Sequence, residues 1–124
     1  MTVRRELEQA RQALSDAEPA RDAGVSDATV INRLYYAGVY VGQAALYHHG
    51  HEPTSHGGVL SLFGSEIIAG GETPRERGRF PNLLSELRTQ ADYGYEELDE
   101  DVDSLVSRTR QLVSEMESLC STLE

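Results

Sequence analysis

Apolar positions recur along the chain every three or four residues, the period of a helix with one buried face. Val3, Leu7, Ala10, Leu14 and Ala17 open this pattern with charges between them, which predicts an amphipathic helix over 3–18. Pro19 and Gly24 leave its end open, and Ser26 or Asp27 is placed to cap the next helix. Over 27–49 a second seam appears: Val30, Leu34, Ala37, Val41 and Ala44. Beside it Gly38, Gly42 and Ala45 form a face of small residues that lets another helix approach closely. Asn32, Arg33, Gln43 and four tyrosines make a membrane helix a poor fit, and Gly50 and Pro53 end the segment.

Ser55 can cap a third helix bearing Val59, Leu60, Leu62, Phe63, Ile67 and Ile68, which stops at Gly70-Gly71. Thr73-Pro74-Arg75-Glu76 reads as a capping box with proline at the first helical position. Pro74 and Pro81 divide the next stretch, so a short helical turn is expected, then a longer helix with Leu83, Leu84, Leu87 and Ala91. The last helix is the most regular: Val102, Leu105, Thr109, Leu112, Met116, Leu119 and Leu123 alternate in threes and fours, with Thr109 as the polar break. No strand alternation competes. The expected fold is all-α, an antiparallel bundle of four to five helices in one domain over 1–124.

Composition narrows the setting. The 124 residues carry 11 cations against 21 acids for a net charge of −10, and every cation is arginine. Lysine is ordinarily among the commonest residues. An acidic, lysine-free chain fits molar salt, where carboxylate repulsion is screened within about 3 Å. A halophilic archaeal source and a cytoplasmic location are the expectation. No apolar run reaches the roughly 20 residues of a membrane span, and the charged start MTVRRELEQARQ has no apolar signal core. One cysteine, Cys120, allows neither an internal disulfide nor a cysteine-rich zinc site and reads as a small buried hydrophobe. No motif calls for a cofactor.

The charge is uneven. Ten acids and two arginines lie from Asp92 onward, a net of −8, which leaves −2 for residues 1–91. An arginine group (Arg75, Arg77, Arg79, Arg88) stands in the middle of the chain. Arginine binds phosphate in a planar, bidentate way that lysine does not match.

Two constellations can carry chemistry. Arg33, Tyr36 and Tyr40 share one helix face and can hold a phosphate or stack on a base. Arg88-Thr89-Gln90-Ala91-Asp92-Tyr93-Gly94-Tyr95 is the second, with Arg88 and Asp92 one turn apart. Either can instead be structural, as an arginine–carboxylate pair with half-buried tyrosines; both can also converge on one pocket. Four histidines occur in HHGHEPTSH, but His48, His49 and His51 lack metal-site spacing, so no metal is assigned. His56, beside Ser55 at a helix start, is a candidate acid or base.

The segments NRLYYAGVYVGQAALYHHGHEPTSHGGVLSLFGSEII and LRTQADYGY, in that order and separation, resemble the HEPN superfamily, in particular a prokaryotic branch with RxYYA…RxxADY. The resemblance spans about Leu7 to the final helix. It implies a helical bundle, commonly a homodimer, whose gene often neighbours a minimal nucleotidyltransferase in a toxin–antitoxin pair. In catalytic members, an arginine followed four to six residues later by histidine forms a metal-independent ribonuclease site. Arg88 matches that arginine and Asp92 the polar residue before the histidine, but positions 93–95 read Tyr-Gly-Tyr and no histidine occurs after His56. Tyrosine, with an ordinary pKa of about 10, shuttles protons poorly at neutral pH. Catalysis therefore needs His56 or Tyr93 as a substitute.

The leading expectation is a non-catalytic or weakly catalytic partner of a nucleotidyltransferase, with Arg33, Tyr36, Tyr40 and Arg88 receiving nucleotide or RNA phosphate. The alternatives are an endoribonuclease using Arg88, Asp92, Tyr93 and His56, and a purely structural adaptor.

Overall fold

Among the described residues the chain forms five helices in the order α1 (Val3–Asp22), α2 (Asp27–His48), α3 (His56–Leu62), α4 (Arg75–Tyr93) and α5 (Val102–Ser121). A π-helical turn, Phe63–Ile68, continues α3. The computed structural model describes residues 2–22, 26–68, 75–93 and 101–121, and no strand occurs among them. The fold is all-α, as the periodicity requires. No described helix is long and apolar enough to cross a membrane.

α2 is the axis. Its seam of Val30, Leu34, Ala37, Val41 and Ala44 is fully buried, and the helix touches α1, α3, α4 and α5. α1 and α5 run antiparallel, as the pairs Arg11–Glu117 and Arg110–Glu18 fix. Leu34, Leu46, Leu84, Leu105 and Leu112 have no exposed surface. Each such burial stabilises by about 1.5–3 kcal/mol. The half-exposed Arg110–Glu18 pair, at 2.9 Å, belongs to a class worth about 0–1 kcal/mol. The core sets the arrangement.

The helix starts agree with the sequence. Ser26 Oγ accepts from Thr29 N at 3.3 Å, and Ser55 Oγ accepts from Gly58 N at 3.0 Å. Asp101 does the same for α5, accepting from Asp103 N at 3.1 Å. Thr109, the polar break in the last seam, is wholly buried and satisfies its hydroxyl by donating to the Leu105 carbonyl at 2.8 Å. Cys120 is buried.

Three expectations need correction. α1 runs past Pro19 to Asp22; Pro19 and Ser15 are exposed, so the carbonyl that the proline leaves unbonded can turn to water. α4 is continuous through Pro81 instead of splitting into a turn and a helix. Pro81 is buried on α2, where a Cβ built on Gly38 would lie 3.8 Å from its own, and this contact offsets the missing backbone hydrogen bond. The third helix keeps α geometry only to Leu62 and then widens into the π turn. The Thr73–Glu76 capping box begins outside the described residues, as does the Gly70-Gly71 stop.

The small-residue face of α2 receives α3 and α4. A Cβ at Gly42 would stand 3.0 Å from Val59 Cγ1, whereas one at Gly38 would meet Leu84 Cδ1 at 3.6 Å. Contact at Gly42 is tighter than ordinary packing, so Val59 would have to give by a few tenths of an ångström; contact at Gly38 is ordinary.

Glu6 stands out in α1, with only 2 % of its surface exposed and no ion-pair partner among the described residues. Burial pushes its carboxyl above the ordinary value, against the lowering pull of Arg5 and the chain's amino terminus. In the window between the unfolded and the raised folded pKa the native state binds more protons, so stability falls as pH rises through it.

This packing can be tested at two places. In urea unfolding, Gly38→Ala gains about 0.5–1 kcal/mol from the lost glycine entropy. Gly42→Ala loses about 1 kcal/mol or more because Val59 must shift; equal effects at both sites would contradict the packing. For Glu6→Gln, stability relative to the wild type increases as pH is raised from about 4.5 toward neutrality. A pH-independent difference would mean that the carboxyl is not desolvated.

Candidate functional site

Tyr35, Gly38 and Gly42 lie at i, i+3 and i+7 on α2 and so share its face toward α3 and α4. Because the glycines let these elements close in, the start of α3 brings His56 to Tyr35, and the later turns of α4 bring Arg88 to the same ring. The Arg88 guanidinium carbon stands 4.4 Å from the Tyr35 ring centroid. The Tyr35 hydroxyl lies 3.4 Å from His56 Nδ1. Tyr36 meets His56 edge-on at 5.7 Å between centroids and Tyr35 at 5.2 Å.

The neighbouring face of α2 adds the other arginine. Arg33 sits over the Tyr36 ring at 5.1 Å, and Tyr40 lies 6.3 Å beyond Tyr36. Two arginines, three tyrosines and one histidine thus form a continuous cluster. Arg88, the one residue of the second constellation with a described contact here, thus meets the first constellation through Tyr35 and Tyr36.

The electrostatics are one-sided. Arg4, Arg11 and Arg110 each have a carboxylate partner. Arg33 has none among the described residues and instead donates to Asn32 Oδ1 at 2.8 and 3.2 Å. Arg88 has none either, and its Nε is buried without a hydrogen-bond partner. A buried, unpaired N–H is costly, and the contact described for this guanidinium is the ring face of Tyr35. Burial holds the Tyr35 hydroxyl above the ordinary phenol range despite the lowering effect of Arg88, so it stays protonated at physiological pH. Such a surface can receive an anion, whose oxygens would take the free N–H groups while a planar group stacks on the tyrosines.

Other features lack this combination. Arg108 stacks on Phe80 at 4.4 Å, but no second ring or histidine joins that pair among the described residues. A groove of about 490 Å³ between α1 and α5, lined by Val3, Leu7 and Cys120 among others, has its two arginines, Arg4 and Arg11, already paired with Glu8 and Glu117. Val3 and Leu7 therefore stay half-buried at its wall rather than completing the first seam.

The remaining sequence candidates separate. Asp92 and Tyr93 fall in the last turn of α4, but their side chains, and with them the Arg88–Asp92 pairing, lie outside the described residues. The four histidines occupy different surroundings. His49 Nδ1 bonds the Ala45 carbonyl at 3.0 Å, His51 approaches Glu66 at 3.8 Å, His48 Nε2 is buried without a partner, and His56 joins Tyr35. No three metal-ligating side chains meet among the described residues. Tyr35 is the member of the cluster that sequence reasoning misses, since it lies outside both the seam and the Arg33–Tyr36–Tyr40 face; its place on the glycine face is the available signal.

A five-helix bundle built on one central helix, with an arginine–tyrosine–histidine cluster where three helices meet, defines the class of molecule. The HEPN domain family matches residues 3–119, and this chain belongs to it. It is similar to a UPF0332 protein of Thermotoga maritima, 32% identical over 98 residues that cover 77% of this chain and 74% of that protein. A UPF0332 protein of Gloeobacter violaceus is 35% identical over 88 residues, covering 71% and 69%. Both relatives are bacterial, so they lend no support to an archaeal source.

If Arg88 is held for a ligand rather than for the fold, Arg88→Met changes stability by less than about 1 kcal/mol, since a lost cation–π contact of about 0.5–2 kcal/mol is offset by removal of a desolvated N–H. A loss above about 2 kcal/mol in urea unfolding would assign Arg88 to the scaffold.

Proposed function

We propose that this HEPN protein is a phosphate-recognising module that binds nucleotide or RNA through Arg33, Arg88, Tyr36 and Tyr40. In this reading it acts as the non-catalytic partner of a minimal nucleotidyltransferase in a toxin–antitoxin-type pair, as a cytoplasmic homodimer. The observation that carries the reading is the convergence of Arg33 and Arg88 beside stacked tyrosines without a carboxylate partner among the described residues. That arrangement speaks against the purely structural adaptor, which calls for internal ion pairs. The lysine-free, acidic composition supports a high-salt setting. There simple phosphate attraction is weak, and bidentate arginine contacts and stacking carry the affinity.

The position of His56 favours one second reading. It lies against Tyr35 and Tyr36 beside Arg88, where it is the candidate proton carrier for a metal-independent endoribonuclease. Against this stands the absence of any histidine after His56, which removes the family's usual partner for Arg88. Asp92 and Tyr93 belong to the same second reading.

One experiment separates the two. The purified protein is titrated calorimetrically with adenosine monophosphate and with a short single-stranded RNA, at low and at molar salt and without metal, and the RNA is then run on a gel. Binding without cleavage is expected. Arg33→Gln and Arg88→Gln each weaken it about 10- to 100-fold, the worth of a charge-assisted hydrogen bond of about 1.5–3 kcal/mol. RNA cut by the wild type and left intact by His56→Ala establishes the nuclease instead, and no binding of either probe overturns the phosphate reading. Co-expression with the nucleotidyltransferase encoded beside it, if the partnership holds, yields a complex that survives purification.

A further inference from the structure

We propose that Tyr35 is a positioning residue that holds neutral His56 as its Nε2–H tautomer, so that the ring offers the cluster an N–H donor rather than a basic lone pair. The inference rests on reading the cluster as an anion site and says what part His56 plays there.

The starting point is a buried hydroxyl. Tyr35 is 4 % exposed, and a phenolic O–H removed from water needs an acceptor. Among the described residues His56 Nδ1, at 3.4 Å, is the one hydrogen-bonding partner of that oxygen. Among the described residues, the two groups stacked on Tyr35 do not replace it. Arg88 lies over the ring face with donors only, and Tyr36 presents its ring in an edge arrangement. The phenol keeps its proton, because burial raises it above the ordinary range.

A neutral imidazole has one donor and one acceptor nitrogen, and the hydrogen bond made by one decides the state of the other. If Tyr35 donates to Nδ1, Nε2 must carry the hydrogen. In the opposite arrangement Nδ1–H donates to the tyrosine oxygen, and the buried O–H is left without an acceptor. The first arrangement satisfies both groups, whereas the second strands one.

The edge interactions reinforce the geometry. Tyr35 and Tyr36 both meet the imidazole at steep angles, 61° and 83°, so the ring is braced on two sides. His56 is itself exposed, and with Nδ1 engaged by Tyr35 its Nε2 is the nitrogen left to act. An N–H there joins the guanidinium groups of Arg88 and Arg33 as a third donor. No described carboxylate near these arginines supplies a base. The same hydroxyl that orients His56 thereby withdraws the lone pair that a general base needs.

The test reads the tautomer directly in the free protein. Uniformly 15N-labelled protein is studied by two-bond proton–nitrogen correlation at about pH 8.5, two units above the ordinary histidine value, with His56 assigned through its loss in His56→Gln. The expected wild-type spectrum shows Nε2 protonated and Nδ1 bare. In Tyr35→Phe, which keeps the ring under Arg88 and is checked by its melting curve, the two nitrogens average toward a mixture. A wild-type spectrum with Nδ1 protonated overturns the proposal, as does a Tyr35→Phe spectrum identical to the wild type.

The same samples are then titrated with adenosine monophosphate. Tyr35→Phe is expected to weaken binding several-fold without abolishing it, whereas Arg88→Gln weakens it more. Tight binding with the wrong tautomer sinks the Tyr35 assignment alone. The expected tautomer with no binding sinks the anion reading and leaves Tyr35 as the residue that orients His56.

Discussion

The close approach of α3 and α4 to α2 at Gly38 and Gly42 is the constraint on which the rest of the molecule depends. A side chain at Gly42 would sit 3.0 Å from Val59 Cγ1, so the approach of α3 depends on the absence of a Cβ there, whereas α4 packs on Gly38 at ordinary contact distance. Pro81, Leu84, Val59 and Phe63 fill the face that results. Tyr35 lies on that same face, one turn before Gly38, and its ring is therefore where His56 and Arg88 must meet. The packing contact and the candidate site are one construction. Moving α4 outward by the width of a methyl group would also lift Arg88 from Tyr35.

That construction places a cation where the core would rather have none. Arg88 Nε is buried with no acceptor, and its compensation is the ring face of Tyr35 at 4.4 Å. A cation–π contact contributes about 0.5–2 kcal/mol, less than a full set of hydrogen bonds to a guanidinium would. Elsewhere the chain solves the same problem differently, setting Arg11 and Arg110 against carboxylates across α1 and α5. The contrast is local and physical: ion pairs where helices are tied together, and stacked arginines without a carboxylate partner among the described residues where three helices converge. A natural chain tends to break local satisfaction where function requires it.

How much of this is legible in the chain varies with the range of the interaction. The seam of α2, the seam of α5 as far as Leu119 (Leu123 lies outside the described residues), the caps at Ser26 and Ser55 and the small-residue face are short-range patterns, and each stands where the spacing puts it. Pro81 reads as a break because propensity speaks only of the backbone bond it removes; the ring's burial against Gly38, more than forty residues earlier, is a tertiary fact. The π turn at Phe63–Ile68 has the same character, since nothing in FGSEII distinguishes it from an α continuation. Arg33, Tyr36 and Tyr40 are visible from their shared face. Tyr35 is not, because a buried aromatic in a core segment carries no sign of a polar partner. Its role emerges only once His56, 21 positions later, is folded back onto it. Glu6 is hidden by similar logic, being one charge among many in an acidic chain.

The all-arginine composition bears on the site in a way that habitat does not exhaust. If lysine is excluded everywhere, an arginine on the surface, such as Arg4 beside Glu8, tells little about need, because an ammonium would serve the same exposed pair nearly as well. Position 88 is different. What lies over Tyr35 is a guanidinium, its carbon 4.4 Å from the ring centroid, and an ammonium is a compact point charge that is more strongly hydrated. The same holds for Arg33 over Tyr36 at 5.1 Å, where the fork also donates twice to Asn32. At these two positions geometry demands arginine whatever the salt outside. Stacking and directed hydrogen bonds also persist when ions screen bare charge, so the contacts of Arg33 and Arg88 with their tyrosines depend little on ionic strength.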